Sequence, residues 1–221
     1  MRPTNLLIIM ADQHSPKALG CYGHPLVKTP NLDKLAEDGT RFTNAYSPSP
    51  LCVPARACFA TGRGVDQTGC WDNAHAYDGS IPGWGHRVQA AGHDNISIGK
   101  LHYRYEGDPV GIDEQIIPMH IAEGKGDLLG ALRPDLPVRH QSRKFAEQVG
   151  PGETVYTQYD RDIGERTCEW LRDRAKQPAA KPWVLFSSFI APPFPLIVPQ
   201  EYFDLYPLGD IPMPQPADEY H

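Results

Sequence analysis

No stretch of this 221-residue chain approaches the ~20 consecutive apolar residues that a membrane-spanning helix needs. The opening run, Leu6-Leu7-Ile8-Ile9-Met10, is short. It follows a lone Arg2 and leads into Asp12 with no small-residue cleavage site, so it reads as a buried strand and not as a secretory leader. Positive charge is also in short supply: 21 Lys and Arg stand against 27 Asp and Glu, a formal charge of −6. A nucleic-acid partner, whose phosphates reward a basic face, is not expected. An anionic small molecule stays open, because a bound divalent cation reverses the local field. The five cysteines are odd in number and lack paired spacing, which gives no disulfide framework and leaves Cys21, Cys58, Cys70 and Cys168 as reduced thiols. These absences point to a cytoplasmic protein away from membranes.

What remains is an ordinary globular composition, 40% hydrophobic and 22% charged, in a length suited to one domain. The apolar run Asn5 to Ala11 fits a central parallel strand that delivers Asp12 and Gln13 into the next loop. Thr29-Pro30 opens a helix with Leu32, Leu35 and Ala36 as its buried stripe and Gly39 as its stop. Arg41 to Tyr46 alternates weakly as a second strand. Helices are expected over about Cys52 to Thr61, Ile81 to Ala91 and Asp160 to Lys176, and strands over Asn95 to Ile98 and Trp183 to Ile190. Residues 107–152, rich in Gly and Pro, predict a long loop excursion between a core at 4–103 and 155–206. The 23 prolines thicken from Pro192 to Pro216, and the chain closes on Asp218-Glu219-Tyr220-His221 with no capping element in view. Strands alternating with helices make this an α/β layered fold.

Chemistry concentrates in four places. In Cys52-Val53-Pro54-Ala55-Arg56, a cysteine opens a helix, where free N–H groups and the dipole stabilise negative charge, and Arg56 shares its face one turn on. Pro54 is tolerated in that first turn. Thr61-Gly62-Arg63 follows. Asp12 and Gln13 offer oxygen donors for a hard cation at a strand end. Gly99-Lys100-Leu101-His102 follows a predicted strand, so Lys100 and His102 could project into one crevice. Asp72-Asn73-Ala74 is either a turn or a source of a substrate hydrogen bond from Asn73. Trp71, Tyr77 and Trp84 are candidate pocket walls, although aromatic residues are more often core.

The C-x-P-x-R run followed by Thr-Gly resembles the sulfatase signature, and Gly99-Lys100-x-His102 resembles that family's G-K-x-H segment; the Asp12-Gln13 pair resembles choline sulfatases and phosphonate monoester hydrolases, and Asp72-Asn73-Ala74 resembles choline-sulfatase-like enzymes. The resemblance spans most of residues 4 to 103 and returns weakly at 183 to 206. It implies an alkaline-phosphatase-like α/β fold with helices on both faces of a layered sheet, here its amino-terminal part and incomplete at the carboxyl end. It also implies that Cys52 is converted by a maturation enzyme to formylglycine, whose hydrate attacks a small-molecule sulfate ester. Asp12, Gln13 and residue 52 would hold a divalent cation, Ca²⁺ foremost with Mg²⁺ or Mn²⁺ as alternatives. Arg56 and Lys100 would stabilise oxyanions, Asn73 and Lys100 would bind substrate, and His102 would orient the hydrate or take its proton. Two departures stand out. Pro192-Pro193-Phe194-Pro195 occupies the place of a P-H-x-P segment and has no histidine to protonate the leaving group. The remaining metal ligands of the family would fall beyond residue 221, so weak metal binding and little turnover are expected of the chain as given. Phosphonate or phosphate monoester hydrolysis shares the site plan, and an inactive remnant that binds anions or a partner is a third reading. The alcohol part of the substrate and the oligomeric state are not legible.

Overall fold

A computed structural model describes residues 4–126, 147–177 and 181–213. The chain runs β1 (Leu6–Met10), α1 (Pro30–Asp38), α2 (Cys52–Thr61), α3 (Val65–Thr68), α4 (Trp84–Ala90), β2 (Asp94–Lys100), β3 (Glu114–Met119), β4 (Val149–Pro151), α5 (Val155–Lys176), β5 (Trp183–Ser188), β6 (Leu196–Val198) and α6 (Gln200–Phe203). Four strands form one parallel sheet in the order β1-β5-β2-β3; β4 and β6 form a small second sheet. An all-parallel sheet needs crossover connections, which carry helices onto its faces. On one face Ile96, Ile98 and Leu185 pack against Ile163 of α5, with Trp170, Leu171 and Trp183 around them. On the other, Phe186 packs with Ala57 and Ala60 of α2 and with Leu101, Tyr77 and Tyr103. This is the expected α/β architecture.

Several expectations need correction. Arg41 to Tyr46 forms no strand, and these residues lie exposed. α1 forms as read, but its stripe is not buried: Leu32 and Leu35 are 44% and 67% exposed. The fourth helix begins at Trp84, not Ile81, and α5 begins at Val155, where Thr154 accepts hydrogen bonds from the N–H groups of Tyr156 and Thr157. The expected loop excursion at 107–152 contains β3, which extends the main sheet, and β4; residues 127–146 of it lie outside the described residues, as does the chain end from 214. Tyr77 and Trp84 are packed in the core and Trp71 is exposed, so none of the three walls the central cavity.

Three strand ends gather the chemistry-bearing residues. All strands of the main sheet point the same way, so Asp12 after β1, Lys100 ending β2 and Ser188 ending β5 emerge on one edge. Binding groups collect at this carboxyl edge in open parallel sheets. Gly99 makes the arrangement possible. Its φ of 95° is left-handed, and a side chain there would strike the Ser188 carbonyl. The register between β2 and β3 slips at the same point, between Ile98 and Lys100, which re-aims Lys100 toward β1.

Candidate active site

Asp12 sits at the centre of the carboxyl edge and is 5% exposed. Its Oδ2 accepts from Lys100 Nζ at 2.8 Å and from Arg56 Nη2 at 3.2 Å. Its Oδ1 lies 3.3 Å from Cys52 Sγ, which donates to it. Four of the residues singled out from sequence, Asp12, Cys52, Arg56 and Lys100, thus meet in one cluster although they come from a strand end, a helix start and a second strand.

Arg56 binds that cluster together. Nη1 donates to the Lys100 carbonyl and, at 2.9 Å, to Ser188 Oγ. These two bonds use both Nη1 hydrogens. The guanidinium thereby joins α2 to the ends of β1, β2 and β5, and at 4% exposure it is a clamp within the protein more than an open hand toward solvent. Ser188, 1% exposed, is a site residue that sequence reasoning missed; a Ser-Ser pair ending an otherwise apolar buried strand was its available signal.

The other predicted residues are placed differently. Gln13 is exposed, with a left-handed φ of 54°, on the wall of the cavity. Asn73 does not face that cavity: its Oδ1 accepts from the Val53 N–H at 3.2 Å, supplying a cap that Leu51, with no side-chain acceptor, cannot. Asp72 holds the same turn by accepting from the Ala74 N–H and pairing with His75. His102 has a φ of 56°, and its Nδ1 is buried with no partner among the described residues. Burial, reinforced by the charges of Lys100 and Arg56, pushes its pKa down to about 3, so the imidazole is neutral at pH 7.

The electrostatics around Cys52 run against its helix-start position. Burial raises the Cys52 thiol above its ordinary pKa; the Asp12 charge and hydrogen bond push the same way, and Lys100 and Arg56 only partly oppose them. A helix start with nearby cations suggests a site suited to a thiolate. The structure instead favours a protonated thiol. For Asp12, burial raises the pKa, but the Lys100 hydrogen bond and the charges of Lys100 and Arg56 outweigh it, and the carboxyl stays below its usual range. The cluster as a whole holds two cations against one carboxylate, a positive excess on three side chains that are each at most 5% exposed.

Cys52, Asp12 and Arg56 open onto a cavity of about 1020 Å³, walled by Gln13, His14, Arg63 and the loop from Tyr46 to Leu51. A second groove, about 570 Å³, runs along the Pro192–Pro195 loop, and its rim is anchored by Asp160 accepting from the N–H groups of Ile190 and Ala191. No histidine lines it.

A hard divalent cation takes about six oxygen ligands. Among the described residues no group of three His, Cys, Asp or Glu side chains is arranged to hold a metal ion. The Asp12 carboxylate is already turned onto Lys100, Arg56 and Cys52, and Gln13 adds only a neutral amide. The residues present do not by themselves make a cation shell.

The chain is similar to known proteins along most of its length. The Sulfatase family model matches residues 4–217. The choline-sulfatase of Rhizobium meliloti is 29% identical over 208 residues, covering 91% of this chain and 41% of that protein. The N-acetylglucosamine-6-O-sulfatase of Bacteroides thetaiotaomicron is 38% identical over 109 residues, 49% of this chain and 19% of that protein. Among solved structures, the phosphonate monoester hydrolase of Agrobacterium radiobacter superposes with a TM-score of 0.68 at 25% identity, covering 96% of this chain and 45% of that one. The chain thus spans less than half the length of these relatives. With the signature cysteine at the head of α2, its arginine clamped to the carboxyl edge of the sheet and the family model matched from residue 4 to 217, the chain belongs to the sulfatase family.

Proposed function

We propose that this chain supplies the nucleophile and the oxyanion-stabilising charges of a sulfate-monoester hydrolase. The observation that carries the reading is the Cys52–Asp12 hydrogen bond inside a buried cluster with excess positive charge. A protonated thiol is a poor nucleophile, whereas a side chain that a maturation enzyme converts to formylglycine does not need a low thiol pKa. The aldehyde's hydrate supplies the attacking oxygen. Asp12 Oδ1, held ionised, accepts a hydrogen bond from the side chain at position 52 and orients it, and Lys100 fixes that carboxylate from behind. Arg56 positions the helix start, and the positive excess it shares with Lys100 attracts the sulfuryl oxygens as charge grows on them. His102, held neutral by burial, is a candidate to orient the hydrate by hydrogen bonding. Asn73 acts on the reaction through α2, by holding the first turn that presents residue 52. All of residues 1–221 belong to one catalytic unit in this reading, and the five free thiols suit the cytoplasm.

A phosphonate monoester is the competing substrate, favoured by the superposition on the Agrobacterium enzyme. Both ester types should be assayed with the longest native polypeptide that contains this chain, beside its Cys52→Ala variant. The reading expects sulfate release that the variant loses by on the order of a thousandfold or more. Faster release of alcohol from the phosphonate would transfer the assignment, and equal activity in the variant would remove residue 52 from the chemistry.

A further inference from the structure

α5 supports the carboxyl edge of the sheet from behind, without lining the cavity at Cys52. Helical spacing puts Asp160, Ile163 and Thr167 on one of its faces. Thr167 Oγ1 lies 2.7 Å from Ser187 Oγ, and both side chains are buried. Ile163 lies against Gly99, where an added side chain would meet its Cδ1. Asp160 makes the third contact and, unlike the other two, it reaches backbone beyond the end of β5.

The regular pairing of β1 with β5 stops at Met10 and Ser188. Two further bonds keep the chains joined. The Phe189 N–H donates to the Met10 carbonyl at 2.8 Å, and the Asp12 N–H donates to the Ala191 carbonyl at 3.1 Å. The second bond fixes the backbone of the carboxylate at the centre of the cluster. Ala191 opens onto Pro192, Pro193 and Pro195, and prolines have no N–H with which to continue a ladder. Asp160 holds it instead. Its Oδ1 accepts from the Ile190 N–H at 2.7 Å and its Oδ2 from the Ala191 N–H at 2.9 Å. Hydrogen bonds to an ionised carboxylate are roughly twice as strong as those between neutral groups. Ala191 is thus gripped at its N–H by α5 while its carbonyl grips Asp12.

We propose that Asp160 is a positioning residue for the reaction put forward above: through the Ile190 and Ala191 peptide groups it fixes the backbone of Asp12, and with it the carboxylate that orients the side chain at position 52. The catalytic consequence rests on that reading of the site; the mechanical link does not. Lys100 and Arg56 hold Asp12 only at Oδ2, so the aim of Oδ1 depends on where the Asp12 backbone stands. Without the grip of Asp160 the Ala191 carbonyl is free to leave the Asp12 N–H, and a misplacement of about 1 Å at a reacting centre costs on the order of a hundredfold in rate. Both oxygens of Asp160 are needed, because two successive N–H groups point at them. An asparagine would offer one oxygen and set its NH₂ group against the second N–H.

The test compares Asp160→Asn with Thr167→Val. Each keeps the size of its side chain, and the second weakens the hold of α5 on β5 at Ser187, a point that does not lead to Asp12. Amide hydrogen exchange is followed residue by residue by NMR in the present chain and referred to the slowest core amides. Asp160→Asn should speed exchange at Asp12 and Ala191 by on the order of tenfold or more, with Phe189 unchanged, and Thr167→Val should leave Asp12 at its wild-type rate. Unchanged exchange at Asp12 in Asp160→Asn, or equal acceleration in both variants, would overturn the proposal. In the longest native polypeptide that contains this chain, Asp160→Asn should lower kcat for sulfate release by about ten- to a hundredfold with KM nearly unchanged, while Thr167→Val keeps the wild-type kcat. A wild-type kcat in Asp160→Asn, or an equal loss in Thr167→Val, would also overturn it. A wild-type polypeptide that releases no sulfate would count against the proposed reaction alone, because the exchange rates still decide whether Asp160 holds Asp12.

Discussion

Replacing Asp12 with Asn keeps the size of the side chain and removes its charge, which isolates the electrostatic role of the cluster. In the wild type one carboxylate lies between Lys100 and Arg56, and all three are at most 5% exposed. Breaking a buried pair by deleting one partner costs ~3–5 kcal/mol, because the remaining charge is left without compensation. Two cations lose their partner here, but they share it, so the cost is not doubled. The expected loss is about 4 kcal/mol at pH 7. With a urea slope of about 2 kcal/mol per molar, the unfolding midpoint falls by about 2 M. Acid provides an internal check. Asp12 has a depressed folded pKa, so its contribution is complete above the unfolded carboxylate value of about 4 and disappears as pH falls through the folded value. The gap between wild type and Asp12→Asn must therefore close on acidification, not widen. A loss below about 1 kcal/mol at pH 7, the size of a solvated surface pair, would refute the buried cluster as described.

Asn73→Ala removes the acceptor for the Val53 N–H and should cost about 1 kcal/mol in urea unfolding, the usual size of a lost helix cap; no change would mean that water replaces it without penalty. His102, its pKa lowered to about 3 chiefly by burial, should show no titration between pH 5 and 8 in ring nitrogen NMR. The unfolded chain takes up that proton below about 6.5 and the folded chain does not, so this residue's contribution to stability is present above that value and declines toward pH 3; a midpoint near 6.5 in the folded protein would contradict the placement. Calcium should bind the present chain only weakly, with a dissociation constant on the order of 10⁻³ M or above by calorimetry, because too few oxygen donors converge; micromolar binding would show a shell that the described residues do not form.

The parts of the fold that were legible were those in which periodicity and chemistry coincide. β1 is an unbroken apolar run, β5 is apolar up to its closing Ser187-Ser188, and α2 carries its signature at a helix start whose first turn tolerates Pro54. β3 was hidden inside a Gly- and Pro-rich stretch. It is an edge strand, a place where a proline such as Pro118 is permitted. α1 misled in the opposite direction. Its apolar stripe is real, but Leu35 stays 67% exposed, and a pattern alone does not say what will cover it. At the site, helical spacing put Arg56 on the face of Cys52. It could not show that both Nη1 hydrogens would be spent on Ser188 and the Lys100 carbonyl, because that requires three strand ends distant in sequence to converge. Asn73 was legible as a polar residue near the signature, but its partner, a backbone N–H of α2, depends on how the turn folds back.

The state of residue 52 in protein isolated from its native source decides the central question. Peptide mass spectrometry should find the –CH₂SH of Cys52 replaced by an aldehyde that hydrazine reagents capture, with Cys58 and Cys70 still present as thiols. A residue 52 that remains fully alkylatable as cysteine, in a cell whose other signature-bearing proteins are converted, would contradict the proposed chemistry outright.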